Sequence, residues 1–414
     1  MPEISQRPTT SPRTGTAAFA AVAAIFVLFT AASSAPSPLY VVYQEAWGFS
    51  AATLTVVFAV YVIGMLTTLL VVGALSDHVG RRPVIAGAIA LEAASLGLFL
   101  AADHVSVLLL ARLLQGIATG AAMTTLGAAL VDLDPPHAPG RAGTLSSVIP
   151  LTGLAVGALG TGALVEYAPA PTRLVYALLL VGMALSAAVL LFLPETSARR
   201  PGALRSLAPR LGVPHAIRPD LYTLLPILIA SWALAGLYLS LGPSVAVGLL
   251  GLRSHLIGGL VVTLLCGTGA AAALLLRGRS TARLLDASAA LLAGGTAVSL
   301  IGIETDTVAL AAIGTVVAGV GFGGAGLSCF GTLARLAAPA ERGELFAVVF
   351  VIAYLAFSLP AVIAGFAATS AGLRPTALAY GLTVAALSVL ALTAQRLRAR
   401  QTARHAATCP QAAV

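Results

Sequence analysis

Long apolar stretches alternate with short polar ones along nearly the whole chain. A helix needs about 20 mostly apolar residues to cross the hydrocarbon core of a bilayer. Stretches of that kind run at roughly 16–39, 51–75, 83–102, 105–131, 142–166, 172–194, 221–249, 255–276, 283–302, 307–334, 343–369 and 374–396. None shows the two-residue alternation of a membrane-spanning strand. Backbone polar groups in lipid must be satisfied within the segment, so each stretch is predicted to be an α-helix. The pattern therefore predicts an all-α membrane protein with twelve transmembrane helices. The first stretch ends in Ala31-Ala32-Ser33-Ser34-Ala35, which imitates a signal-peptide cleavage site, but more membrane follows and it is counted as span 1.

Composition agrees with the pattern. The 414 residues are 58% hydrophobic and only 9% charged. A soluble domain covers its surface with roughly a quarter charged residues. All 23 basic residues are Arg, and the net charge is +8. Those arginines lie in short loops and in the C-terminal tail rather than on one face of a soluble domain, which excludes a nucleic-acid partner. With the N-terminus in the cytoplasm, Arg173, Arg253 and Arg374 fall outside and Arg112 lies within span 4. The remaining nineteen of the 23 then lie inside. This asymmetry predicts an even number of spans, cytoplasmic termini and a multi-pass protein of the cell inner membrane. Tyr40, Tyr43 and Trp47 bunch near the outer end of span 1, where an interfacial aromatic belt is expected.

The longest hydrophilic stretch between spans, rich in Pro and Arg, divides the spans six and six. The expected organisation is a cytoplasmic tail (1–15), a six-helix bundle (16–194), a cytoplasmic linker (195–220), a second six-helix bundle (221–396) and a cytoplasmic tail (397–414). The halves resemble each other weakly. Span 4 carries Gly116 and Gly120 and is followed by Asp132, Pro135, Pro136 and Arg141. Span 10 carries Gly319, Gly321, Gly323, Gly324 and Gly326 and is followed by Arg335, Pro339 and Arg342. Internal repeats of this kind are common in transporters.

Three motifs stand out. The first joins spans 2 and 3: Gly73-Ala-Leu75-Ser-Asp77-His78-Val-Gly80-Arg81-Arg82-Pro-Val-Ile85. Gly73 permits close helix packing, Gly80 a tight turn, and Asp77 with Arg81 and Arg82 forms a charged cluster at the membrane face. The second is Arg112-Leu-Leu-Gln115-Gly116 in span 4. An Arg inside the membrane is costly and is expected to face a cavity or a partner. The third is the run Gly153, Gly157, Ala158, Gly160 and Gly162 in span 5, whose four-residue spacing lets helices approach closely.

On these residues the chain resembles the major facilitator superfamily, in particular its twelve-span drug:proton antiporters. The loop matches the signature G-x-L-x-D-[RK]-x-G-[RK]-[RK]-x-x-[IL], except that His78 stands where Arg or Lys is usual. Span 4 is similar to the family's R-x-x-Q-G pattern. Span 5 resembles its antiporter motif, with Ala158 in place of Pro and the final Gly pair shifted. The Leu193-Pro194-Glu195-Thr196 ending of span 6 is also frequent in the family. The resemblance implies a fold of two pseudo-symmetric six-helix halves. It implies that the loop latches the halves on the cytoplasmic side, with Asp77 facing the span 11 region and Asp132 joining the cluster. It further implies that Arg112 serves proton coupling, and that spans 1, 4, 7 and 10 surround the cavity.

Proton coupling needs a carboxyl group within the membrane. Glu92, midway along span 3, is the deepest acidic residue, and its depth differs from that of Arg112 by about one helical turn. Glu92 and Arg112 are the coupling candidates, although the family places span 3 at the periphery. Glu166 lies near the outer end of span 5. Spans 1, 7 and 10 hold no acidic residue. An apolar, aromatic-lined site is therefore expected, with Tyr40, Trp232, Tyr238, Phe322 and Tyr354 as candidate lining residues. Pro36, Pro38 and Pro243 are candidate kinks for gating. The leading functional expectation is proton-coupled efflux of a small hydrophobic compound by a monomer in membrane lipid, driven by the proton gradient and needing no cofactor. The alternative is a proton symporter for a sugar or organic acid. The chain contains no Asn, and Arg112 is the one cationic group in its cavity spans, which weighs against that alternative. An enzyme is not expected. The six His lie in loops or the tail, Cys266, Cys329 and Cys409 have no metal-ligand spacing, and a phosphate loop cannot form without Lys.

Overall fold

The computed structural model describes residues 12–135, 141–197, 199–209, 211–252, 254–338 and 341–408. Arg7, Pro136, Arg210, Arg253, Pro339 and Cys409, on which parts of the charge and repeat readings rest, lie outside the described residues. So do residues 1–11 and 409–414 of the expected tails. Among the described residues there is no strand, and twelve helices are long and apolar enough to cross a membrane. They are α1 (Gly15–Trp47), α2 (Ala51–Val72), α3 (Arg81–Ala101), α4 (Val105–Asp132), α5 (Arg141–Tyr167), α6 (Pro171–Leu190), α7 (His215–Ser240), α8 (His255–Leu275), α9 (Thr281–Glu304), α10 (Val308–Leu336), α11 (Arg342–Ala371) and α12 (Leu373–Arg398).

Two of these differ from the hydropathy reading for a local reason. The first span extends to Trp47 but breaks at Ala35, between helical stretches Pro12–Ser34 and Pro36–Trp47. Ala35 still donates to Ala31 O at 3.1 Å, but Pro36 has no N–H to continue the ladder. The seventh span ends at Ser240, and a short helix, Gly242–Gly248, restarts with a Pro in its first turn. Both breaks fall at the predicted prolines.

Helices α1–α6 pack as one half and α7–α12 as the other, joined chiefly by α5 on α8 and α2 on α11. Glycine decides how close the crossings come. A Cβ at Gly116 or Gly120 of α4 would strike the backbone of α2 at Tyr61 or Met65. The corresponding pair on α10, Gly319 and Gly323, lies against Thr268 and Gly269 of α8. The same i, i+4 glycine device thus seats α4 on α2 and α10 on α8, which gives the weak repeat a physical content. Between the halves, a Cβ at Gly259 of α8 would collide with the Ala158 carbonyl of α5, with Gly162 lying opposite. We expect Gly259→Val to separate α5 from α8 and lower the melting temperature in detergent. An exposed control, Gly294→Val, has open space around it and should not.

The outer surface is itself apolar. Leu185, Leu191, Phe192, Leu275, Ile363 and Phe366 are all more than half exposed, as lipid-facing side chains should be.

Candidate functional site

The halves meet most closely on the face opposite the α2–α3 loop. There Ser37 Oγ of α1 donates to Leu239 O of α7 at 2.6 Å, and the rings of Phe58 and Phe357 sit 4.9 Å apart. Glu166 of α5 accepts from the first backbone N–H of α8, at His255, at 2.7 Å. Between the halves lies a central cavity of about 300 Å³. Its walls come from both halves. Aromatic side chains dominate them, with Trp232 edge-on to Tyr354 at 4.8 Å, next to Phe58, Phe322, Phe350 and Phe357. Thr30, Ser33, Thr119, Ser146 and Ser147 also line it, and Arg112 is the one charged lining residue among the described residues.

Arg112 is almost fully buried within the protein, and its guanidinium carbon lies 4.2 Å from the centre of the Tyr61 ring, a cation–π contact. Its Nη1 donates to Ser33 O at 3.1 Å and to Gln115 Oε1 at 2.6 Å. The amide of Gln115 donates in turn to Ala32 O and to Glu92 Oε1, both at 3.0 Å. Glu92 itself lies behind the cavity wall, fully buried, and its Oε2 has no hydrogen-bond partner. The depths inferred from sequence put Glu92 and Arg112 within reach of each other, and the structure links them through Gln115 rather than by direct contact. Helical spacing explains this: Arg112 and Gln115 share one face of α4, and Gln115 alone reaches α3.

The loop motif forms a compact knot on its own face of the protein. Arg81 pairs with Asp77 at 2.5 Å and with Asp132, at the end of α4, at 3.1 Å. Glu195 accepts from the backbone N–H groups of Arg81 and Arg82 at 2.7 and 3.2 Å, capping α3 where its donors are otherwise unpaired. Gly80 has φ +110°, and a Cβ there would collide with that carboxylate, so the turn requires glycine twice over. Gly73 meets the neighbouring α4 only at ordinary contact distance, not in the close packing expected. A Cβ there would press on the Leu69 carbonyl of its own turn, and Thr124 lies at ordinary contact distance. The Asp77 carboxylate pairs with Arg81 of its own half, not with the α11 region that the family resemblance implied. Arg82 donates to Leu191 O at 3.0 Å, and His78 bonds the Arg200 carbonyl of the linker at 3.0 Å.

The sequence profile of the Major Facilitator Superfamily matches residues 21–359. The chain belongs to the Major Facilitator Superfamily. It is thus a multi-pass membrane transporter rather than an enzyme. Over 88 residues it is 41% identical to multidrug resistance protein MdtL of Shewanella oneidensis, a match spanning 21% of this chain and 22% of that relative. A bacterial homologue of the human lysosomal transporter Spinster, inward-facing and unoccupied, superposes with TM-score 0.74 at 14% identity, covering 94% of this chain and 98% of that one. The human organic anion transporter MFSD10 gives 0.65 at 17% identity, covering 93% and 100%. The nucleoside transporter NupG gives 0.67 at 13%, covering 92% and 99%. At such identities these likenesses describe the fold.

Among the residues singled out from sequence, Arg112, Trp232, Phe322 and Tyr354 line the central cavity of this superfamily member. Tyr40 and Tyr238 do not. Tyr40 lies beyond the Ala35 break, fully buried, in the cluster where Tyr43 stacks on Trp47 at 4.7 Å and reaches Tyr176 OH. Those two tyrosines are therefore internal packing residues, not a lipid-facing belt. Tyr238 turns away from the centre toward Ser299 and Thr315. In the α5 motif, Gly153 and Gly157 seat α1 and Gly162 faces α8, whereas Gly160 meets nothing within 4 Å and takes no part in packing.

Glu195 is the residue that the sequence reading undervalued. Its signal was the Pro-Glu-Thr ending of span 6; besides the nearby Ser197 N–H, its partners Arg81 and Arg82 are more than a hundred positions away. Removing the cap with Glu195→Ala should cost about 1–2 kcal/mol. The measurement is thermal unfolding in detergent, together with faster hydrogen exchange in residues 76–85.

Proposed function

We propose that the protein is a proton-coupled exporter of small hydrophobic compounds. It works as a monomer in the cell inner membrane, with both termini cytoplasmic and the α2–α3 loop on the inner face. One observation carries the proposal. A buried carboxyl group, Glu92, is connected through Gln115 to Arg112, the only charged group among the described residues on an aromatic cavity wall.

The chemistry follows from charge compensation. With Glu92 ionised, the Arg112 charge is balanced across the Gln115 bridge, and an uncharged apolar molecule meets a locally neutral wall. When Glu92 takes up a proton on its unpartnered Oε2, Arg112 is left uncompensated and demands hydration or a polar partner. Water then competes with the hydrophobic molecule, so proton and substrate favour opposite states of one site. Rocking of the two halves would alternate access to that site. The loop knot of Asp77, Arg81, Arg82 and Asp132 would act on the cytoplasmic side, re-forming between the halves as that side closes. The MdtL match supports efflux within its 88 residues.

The test uses purified protein in liposomes with an imposed pH gradient and a trapped pH dye. Lipophilic compounds, sugars and organic acids are added in turn. A hydrophobic compound that drives protons opposite to itself supports export. Sugars or acids moving together with protons would replace it with the symporter reading.

A further inference from the structure

The wall of the central cavity restricts what can occupy it. A volume of about 300 Å³ stands at the lower end of small-molecule pockets, which suits one or two rings rather than a long chain. Aromatic side chains reach it from both halves: Phe58 and Tyr61 from α2, and Trp232, Phe322, Tyr354 and Phe357 from α7, α10 and α11. Trp232 is only partly buried. It meets Tyr354 at 4.8 Å and 76°, and Phe357 at 6.0 Å and 80°, both near perpendicular. Among the described residues no aromatic ring lies parallel on the indole, so its plane is left for a flat partner.

The same wall holds one donor without a good acceptor. Buried tyrosines elsewhere in the second half find oxygen: Tyr238 OH lies 2.8 Å from Thr315 Oγ1, and Tyr380 donates to Ala233 O at 2.7 Å. Tyr354 does not. Its hydroxyl reaches Met123 Sδ of the opposite half at 4.0 Å, and a thioether is a weak acceptor on a flexible side chain. Both residues line the cavity, so the phenol points across it, and an occupant's oxygen can take the place of the sulfur. Charge restricts the occupant further. Among the described lining residues none is a carboxylate, and Arg112 is the one cation. Glu92 stands behind the wall, bonded to Gln115, and the Tyr61 ring already faces the Arg112 guanidinium. A cation entering here would lose its water without gaining a counter-ion, and aromatic faces return only part of that loss. An anion would favour the state in which Glu92 is protonated and Arg112 uncompensated, so it would travel with protons rather than against them.

We infer, taking the export reading of this cavity as given, that the substrate is an uncharged compound of one or two aromatic rings bearing an oxygen acceptor, such as an aryl ketone. Lipophilic cations are rejected. One ring stacks on Trp232 and the oxygen accepts from Tyr354, which makes these two the specificity-determining residues.

The chain has two tryptophans, so the full-length Trp47→Phe protein in detergent keeps Trp232 as its single one. Quenching of that fluorescence by benzophenone reads occupancy. Three analogues then compete for the site: diphenylmethane lacks the oxygen, dicyclohexyl ketone lacks the aromatic rings, and benzhydryltrimethylammonium carries a fixed positive charge. Dicyclohexyl ketone should bind about three- to tenfold more weakly than benzophenone, the loss of an aromatic pair. The cation should bind about a hundredfold more weakly. Tyr354→Phe should lower the ratio of benzophenone to diphenylmethane affinity about three- to tenfold, the loss of one neutral hydrogen bond. Absence of quenching by benzophenone overturns the inference. So does a cation or a saturated ketone that competes as well as benzophenone, or an unchanged ratio in Tyr354→Phe. If Tyr354→Phe does not fold, equal competition by the cation is enough to overturn it. Binding in detergent needs no proton gradient, which separates this result from the liposome test. The expected order of affinities without opposed proton movement would leave the aryl site standing and overturn export, whereas a lipophilic cation that exchanges for protons would do the reverse.

Discussion

Glu92→Gln should uncouple transport from protons while leaving the protein folded. Gln is close in size to Glu and can still accept from the Gln115 amide through its own carbonyl oxygen. It cannot give up or take on a proton. Uphill export driven by a pH gradient should therefore fall at least tenfold, whereas downhill exchange of the same compound between two pools should continue at saturating concentration, with weaker apparent affinity. The pH dependence of binding should flatten, because the mutant mimics the protonated state at every pH. Liposome uptake assays with and without a pH gradient separate the two activities. Loss of both together, in a folded protein, would make Glu92 a packing residue instead.

Arg112→Ala should be more damaging. It removes the donor to Ser33 O and Gln115 Oε1 and the cation over Tyr61, and the buried Glu92 is then held in its protonated form. Losing hydrogen bonds made by a charged donor together with a cation–π contact costs about 2–4 kcal/mol. The expected result is loss of transport with a clear fall in melting temperature. Combining it with Glu92→Gln should change stability little further at neutral pH, since Glu92 is already uncharged once Arg112 is gone. Arg112→Lys keeps the charge, and a single ammonium can replace a single Nη1, so stability should largely return. The two bonds that Nη1 makes now fix the guanidinium plane over Tyr61, and a flexible ammonium would not hold that position. Coupling should therefore recover less than stability. The measurements are melting curves in detergent for all four variants and proton-driven uptake for those that fold.

The parts legible in the sequence are those that composition or one-dimensional spacing can encode. Twelve spans follow from apolar length. The breaks in α1 and after α7 follow from Pro36 and Pro243. The Arg81–Asp77 pair is an i, i+4 contact, and Arg112 had to face a cavity or a partner because lipid would not accept it. Orientation was harder to read. A helix in a membrane is apolar on its lipid side and on its packed side, so periodicity gives little indication of which face points inward. That is why Tyr40 and Tyr238 were expected at the centre with Trp232, although Tyr238 stands on the other face of α7. Gly160 and Gly162 illustrate the same limit: two residues of helical rotation separate a glycine with open space from one against Gly259. Glu195 was obscured differently. The Pro-Glu-Thr ending marks Glu195 locally, but nothing in it tells that the carboxylate caps a helix more than a hundred positions away.

The proposal rests on proton and substrate opposing each other at one linked group, and that opposition is directly measurable. Purified protein in detergent and weak buffer is mixed with a transported hydrophobic compound, and the pH of the solution is recorded. The account predicts that binding releases protons from the wild type and none from Glu92→Gln at equal occupancy. Release that persists in Glu92→Gln, or proton uptake by the wild type, would contradict it.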